Sequence, residues 1–438
     1  MATITGTNGP DKIDGFSGDD MLFGLAGDDT LDGGAGSDTM IGGTGDDLYV
    51  VNGIGDVAVE QAGEGQDTLF ANVAYTMGGN IEIGRLFGTG ASLGVAAGQT
   101  TAVQLVVNPA LASTVLGGAG DDVLWGGSDG STMFGRDGDD IMRDQNTQIT
   151  MYGGLGNDQF VIGNLASIII ENSGEGADTA WVTANGYVVG DNVEITRLAG
   201  TATTVSGGNT ADQVVANPLF ASTLFGRGGD DVLWGSAFAD RLDGGAGDDT
   251  FRGQGGADTM IGGAGNDSYV VLDPNVVIIE NGGEGYDTAY IGLAADTPFT
   301  LAANVERGNL SGVATMLTGN ASDNVLVGDA VASRLNGMAG DDLLFGSAFA
   351  DTLTGGAGND TLYCYGGADR LIYAAPGWGS DLVSGFSTAE GGRLDFRGSG
   401  LNFVDLSLNV GGGNTQVSYG ADVILVFGVV LTQGDFIF

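Results

Sequence analysis

The sequence predicts an all-β protein: a parallel β-solenoid of stacked short turns, closed by a C-terminal β cap. Three observations lead there. First, Gly6–Val50 divides into five nine-residue units: GTNGPDKID, GFSGDDMLF, GLAGDDTLD, GGAGSDTMI and GGTGDDLYV. Positions 1 and 4 are Gly in all five, position 6 is Asp, and position 8 is apolar (Ile13, Leu22, Leu31, Met40, Tyr49). A fixed nonapeptide period of this composition is the signature of a parallel β-helix. Second, the chain has 84 Gly and only 6 Pro without a collagen period, so the glycine belongs to turns. Third, 56 acids against 13 bases give a net charge of −43, and many of the acids fall at fixed repeat positions.

Each residue type in the unit has a physical role. Glycines let six residues make a sharp turn, because they accept positive φ. The last three residues form a short strand whose central side chain points inward. One unit cannot bury that side chain, whereas a stack can. Stacking also brings carboxylates from successive turns together, where they repel unless a cation intervenes. Carboxylates and exposed turn carbonyls are hard oxygen ligands that suit Ca²⁺, so folding is expected to be coupled to calcium. The candidate ligands are the aspartates at position 6. In the first run these are Asp11, Asp20, Asp29, Asp38 and Asp47.

These nonapeptides resemble those of the RTX (repeats-in-toxin) proteins, which are secreted by the type I route. The resemblance implies a right-handed parallel β-roll with two nonapeptides per coil. It also implies calcium shared between turns n and n+2, here Asp11 with Asp29, Asp20 with Asp38, and Asp29 with Asp47. An extracellular location and an uncleaved C-terminal export signal follow from the same resemblance.

After Val50 an eleven-residue strand word occurs three times: VNGIGDVAVEQ, IGNLASIIIEN and VLDPNVVIIEN. Each is followed by a nonapeptide-like unit (AGEGQDTLF, SGEGADTAW, GGEGYDTAY) that adds Asp67, Asp178 and Asp287 as candidates. Apolar stretches ending in NIEIGRL, NVEITRL and NVERGNL come next. These read as wider coils of the same solenoid, with a separate small domain as the alternative. Nonapeptides resume from Asn108, Asn217 and Gly319. They contribute Asp122, Asp140 and Asp158; Asp231, Asp240, Asp249, Asp258 and Asp267; and Asp342, Asp351, Asp360 and Asp369. The runs recur at spacings of 109 and 111 residues. The chain therefore reads as an opening run (1–50), three modules (51–161, 162–270, 271–372) and a cap with export signal (373–438), about 24 coils in all at about 18 residues each.

Position 6 is Ser at Ser113, Ser131, Ser222 and Ser333, Ile at Ile149 and Asn at Asn324. Calcium is expected to be absent or weak at those turns. Cys364 is the only cysteine, so no internal disulfide exists, and bound calcium is the expected staple. No apolar run reaches the length of a membrane helix. The N-terminus lacks a basic region and an apolar core, so no Sec signal is expected. The negative charge argues against nucleic acid and anionic lipid as partners.

The chain has no histidine, which removes H-E-x-x-H zinc sites and Ser-His-Asp triads. The G-x-S-x-G string at Gly126–Gly130 lies inside a nonapeptide. Nine of ten glutamates (Glu60, Glu64, Glu82; Glu171, Glu175, Glu194; Glu280, Glu284, Glu306) are triplicated, which speaks for structure; the pair in each E-x-x-G-E-G word is expected to flank a turn. Bases are too scattered for a polysaccharide lyase, the Thr ladder is too interrupted for ice binding, and no helix follows a glycine cluster to cradle phosphate. The expected function is a secreted calcium-binding structural protein that assembles with itself, as a surface-layer subunit or filament. The alternative is a soluble secreted adhesin or matrix protein that grips polysaccharide, which needs exposed aromatics; Trp181 and Tyr290 are the candidates, with packing into the coil expected for both, and an enzyme of unfamiliar chemistry is the third reading.

Overall fold

The computed structural model describes residues 1–438, and it is a parallel β-solenoid without α-helices. It divides into two compact units, Met1–Asn217 and Pro218–Phe438. In both units successive short strands fall alternately in two sheets, and within the repeat runs each strand pairs in parallel with the strand one coil later. Thr30–Asp32 lies between Lys12–Asp14 and Leu48–Val51, with Leu31 opposite Ile13 and Tyr49. Met21–Ala26 pairs with Thr39–Thr44, placing Leu22 beside Met40. The period of two then sends one residue per short strand inward, so Leu22, Leu31, Met40 and Tyr49 have no exposed surface. Position 8 of the nonapeptide is thus the core.

Counting one parallel strand per coil, from Lys12–Asp14 on, the first unit has twelve, and the second has nine before the antiparallel strands of its cap. That makes 21 coils rather than about 24, because the wide coils and the cap use more residues per turn. The wide coils continue the solenoid. Thr68–Ala71 pairs with Leu48–Val51 on one side and Ile83–Leu86 on the other. The other sheet breaks there: one sheet ends at Val57–Val59 and the next begins at Tyr75–Met77. The Tyr75 hydroxyl spans the break by accepting a hydrogen bond from the Ala58 amide at 3.1 Å. In the second unit Thr288–Ile291 similarly joins Ser268–Val271 to Arg307–Leu310.

Glycine is required where coils touch backbone to backbone. Gly45 has φ +133°, and a Cβ there would collide with the Gly27 carbonyl of the preceding coil. Stacking also aligns aromatic rings, as in Phe251 over Tyr269 and Phe345 over Tyr363, each with centroids 5.0 Å apart, close to the strand spacing.

Residues 373–438 close the second unit. Ser380–Ser384 pairs with Asp422–Val426, which turns antiparallel through Asn414–Tyr419 and Ser407–Gly411. Phe436–Ile437 adds to Arg393–Asp395. Tyr373, Trp378, Phe396 and Phe436 cluster beneath this hairpin. The last coil's strand edge is thereby paired instead of left open. Because Leu31 is fully buried between Ile13 and Tyr49, Leu31→Ala is expected to cost about 2–5 kcal/mol, read as a shifted midpoint in calcium-containing denaturant titration.

Candidate metal centre

Position 6 is where the tight turn hands the chain to the strand, so its side chain is buried between coils. Within each run, one carboxylate oxygen of such an aspartate accepts the backbone amide of the position-6 residue one coil earlier. Asp11 donates to Asp29 Oδ1 at 2.8 Å, Asp29 to Asp47 Oδ1 at 2.7 Å, and Asp20 to Asp38 Oδ1 at 2.8 Å. The n to n+2 register implied by the family resemblance is therefore built as a ladder of hydrogen bonds.

In the first unit one row runs through Asp11, Asp29, Asp47 and Asp67 and ends on Glu82, whose Oε2 accepts the Asp67 amide at 2.8 Å. The same row resumes with Asp122, Asp140, Asp158 and Asp178 and ends on Glu194. The other row runs from Asp20 through Asp38 to Asp56. In the second unit one row joins Asp231, Asp249, Asp267, Asp287 and Glu306, and later Asn324, Asp342, Asp360 and Asp381. The other joins Ser222, Asp240 and Asp258, then Ser333, Asp351 and Asp369.

The second carboxylate oxygen decides what the ladder can hold. It is buried without a hydrogen-bond partner in Asp29, Asp38, Asp47, Asp67, Asp140, Asp158, Asp249, Asp267, Asp342, Asp360 and Asp369. An orphaned buried carboxylate oxygen is costly unless a cation meets it. The position-1 glycine keeps the space beside it open: a Cβ on Gly135 or Gly337 would overlap the oxygen of Asp140 or Asp342 and the Gly153 or Gly355 carbonyl. Each cradle thus offers carboxylate and carbonyl oxygens only, a donor set that fits Ca²⁺.

Other predicted ligands are partly satisfied by the protein. Asp122 Oδ2 accepts the Gly118 amide at 2.6 Å. Asp11 Oδ2 takes the Thr7 amide and hydroxyl at 2.5 and 2.8 Å. Asp240 Oδ2 takes the Ser236 amide and hydroxyl, and Asp351 Oδ2 those of Ser347. In these three, position 2 is Thr or Ser instead of Gly, and its hydroxyl stands where a cation's charge would otherwise be wanted.

Serine can retain the ladder and lose the ligand, whereas Ile149 breaks it and the Ser131 amide turns to the Ser128 carbonyl. Ser131 Oγ accepts the Ser113 amide at 3.1 Å, replacing one carboxylate oxygen and supplying no second. In residues 108–161 all these losses fall in one row, while Asp122, Asp140 and Asp158 stay consecutive in the other.

Burial raises the carboxyl pKa values along the rows. Asp140 is pushed up to about 8, and Asp158, Asp249 and Asp342 to about 7, with neighbouring aspartates adding to the shift. Asp47, Asp67 and Asp267 reach about 6 for the same reasons.

Several acids of the site were not legible as such. Glu64, Glu175 and Glu284 flank a turn as expected, accepting the amides of Gln61, Asn172 and Asn281. Their partners Glu60, Glu171 and Glu280 instead lie buried against the ladder, and burial lifts each to about 8. The signal was present in their triplication. Asp381, raised to about 8, extends a row into the cap, where the nine-residue period has already faded. Trp181 and Tyr290 do not pack inward. They are 38% and 43% exposed, because their strands turn Ala180, Val182, Ala289 and Ile291 to the core.

A parallel β-solenoid with rows of half-satisfied buried carboxylates defines a class of cation-stapled repeat protein. The RTX calcium-binding nonapeptide repeat model matches residues 3–31, 14–49, 114–143, 220–242, 234–269, 318–353 and 336–371. The chain carries RTX calcium-binding nonapeptide repeats over these residues. Repeats of this kind are typical of secreted calcium-binding proteins. No curated protein matches the chain. Among solved structures it is similar to the extracellular lipase LipA of Serratia marcescens at 17% identity and a TM-score of 0.24; the match covers 60% of this chain and 45% of that one. No helix is long and apolar enough to cross a membrane.

The pKa directions set a pH dependence. The folded carboxyls titrate near 6–8, and the unfolded ones near about 4. The metal-free fold therefore binds more protons than the unfolded chain across that window. Its stability is highest below pH about 4 and falls as pH rises toward about 8. Chelated protein is expected to lose midpoint steadily between those limits, and added calcium to restore it at the alkaline end. A chelated midpoint that rises with pH would contradict the burial of these acids.

Proposed function

We propose that this protein is an extracellular structural protein, exported by type I machinery, that assembles with itself in a calcium-dependent way as a surface-layer subunit or filament. The observation that carries the proposal is a second, outer row of acids. Position-5 aspartates such as Asp19, Asp28, Asp46, Asp121, Asp139, Asp230, Asp248 and Asp341 are exposed and aligned coil above coil. Their carboxylates accept the amide of the next coil, as Asp28 does from Asp46 at 3.0 Å and Asp121 from Asp139 at 2.9 Å. Two such faces repel at a net charge of −43, and divalent cations convert that repulsion into a bridge.

Exposed apolar side chains at turn positions support the same reading. Phe16, Leu25, Met338 and Tyr365 occupy position 2, carry φ values of 63°, 85°, 84° and 59°, and are 44–75% exposed. Bulky residues in left-handed backbone are strained, and these bury little within their own chain. Burial against a neighbouring molecule recovers the apolar contribution. The repeat fold favours a structural over a catalytic role.

A second reading, a soluble adhesin for cell-surface polysaccharide, draws on the exposed Trp181 and its Arg197 partner, 5.8 Å from ring centroid to guanidinium. A shallow pocket of about 180 Å³ lined by Trp125, Arg143, Asn146 and Thr183 is a candidate subsite on this unit. Electron microscopy of chelated protein returned to calcium separates the two. Ordered sheets or filaments only with calcium support assembly. Dispersed particles in calcium, with retention on a glycan array that Trp181→Ala abolishes, support the adhesin.

A further inference from the structure

Two places in the chain bring three buried carboxylates together where the nonapeptide supplies only two. Asp47, Glu60 and Asp67 offer oxygens all within 4.8 Å of one another, and so do Asp267, Glu280 and Asp287. All six side chains are at least nine-tenths buried. The second oxygens of Asp47, Glu60, Asp67, Asp267 and Glu280 have no hydrogen-bond partner. No cation side chain lies among them: the hydrogen-bonding neighbours are backbone amides and a tyrosine.

That tyrosine explains the geometry. Tyr49 and Tyr269 sit at position 8, the inward position, and each hydroxyl donates to Glu60 Oε1 or Glu280 Oε1. In the first unit the Gly42 amide donates to the Tyr49 hydroxyl at 2.8 Å. The tyrosine therefore engages one glutamate oxygen and leaves the other to the aspartates. The glycine at position 1 leaves room, since a Cβ on Gly42 or Gly262 would overlap the aspartate, tyrosine and glutamate oxygens together.

The molecule contains its own control. The corresponding position between the first unit's nonapeptides and its second wide coil is Phe160, with Asp158, Glu171 and Asp178 around it. Without a hydroxyl, the Gly153 amide donates directly to Glu171 Oε1 at 2.7 Å, and Gly154 approaches Oε2 at 3.5 Å. Glu171 is thereby satisfied by backbone, and these three carboxylates do not gather as the other two sets do.

We propose that Asp47–Glu60–Asp67 and Asp267–Glu280–Asp287 are two high-charge cation sites, repeat cradles each enlarged by a glutamate, that take calcium first and accept trivalent lanthanides best. Ligand charge count sets affinity in oxygen sites, and three carboxylates exceed the count of an ordinary rung. The proposal rests on the chain binding calcium at all. Both sites lie where a nonapeptide run passes into a wide coil, so the earliest ions lock the coils that the regular period does not specify.

Terbium titration of the calcium-stripped full chain tests this, with tyrosine-sensitised emission and total bound metal read together. The wild type is expected to take two equivalents tightly, both sensitised, before the remaining cradles fill. Glu60→Gln and Glu280→Gln should each weaken one equivalent at least about tenfold and leave the later ions unchanged. Phe160→Tyr should add a third tight, sensitised equivalent, and this arm decides if the glutamine variants do not fold. Tight equivalents that persist in the Glu60→Gln, Glu280→Gln double variant, or no gain in Phe160→Tyr, overturn the proposal while leaving repeat calcium intact. Failure of the wild type to bind calcium or terbium at any concentration overturns the calcium reading and this proposal with it.

Discussion

The structure depends on one divided carboxylate. At each intact position 6 the aspartate gives one oxygen to the amide of the coil before it and holds the other in a buried space bordered by glycine. The first oxygen fixes the register of one coil on the next. The second creates a local charge that water cannot reach. Stacking and cation demand therefore meet in one side chain, each carried by its own oxygen.

This coupling accounts for the tolerance of the repeat to substitution. Serine keeps the register bond and gives up the charge, as at Ser131, so a coil can remain stacked without asking for an ion. Threonine or serine at position 2 does the complementary thing: at Asp11, Asp240 and Asp351 it satisfies the second oxygen from within the protein. The chain thus grades its demand for cations along its length while holding one backbone geometry. The outer position-5 row runs its hydrogen bonds in the opposite sense and stays in solvent, where its charge is available to other molecules.

The wide coils are where the regular device is interrupted. Their extra residues break one sheet, and side chains take over: Tyr75 bridges a strand gap, Glu82, Glu194 and Glu306 replace the missing aspartate rung, and Glu60 and Glu280 enter the row from the side. The 20-residue steps from Asp47 to Asp67, Asp158 to Asp178 and Asp267 to Asp287 are still spanned by aspartate, and glutamate takes the next, irregular step in each row, at Glu82, Glu194 and Glu306.

The sequence by itself determined the repeat, the inward residue and the ligand type, because each follows from the nine-residue period; the n to n+2 pairing was implied by the family resemblance. It also located the cap, where that period stops. The tertiary structure alone decided which oxygens are left over, since Asp122 and Asp140 carry the same motif letter and differ only in what Gly118 does with its amide. It alone placed Trp181 and Tyr290 outward, and gathered Glu60 with Asp47 and Asp67 across irregular spacing. Local pattern specifies a turn, but the satisfaction of a buried polar atom depends on neighbours a whole coil away, and those are set only when the coils stack.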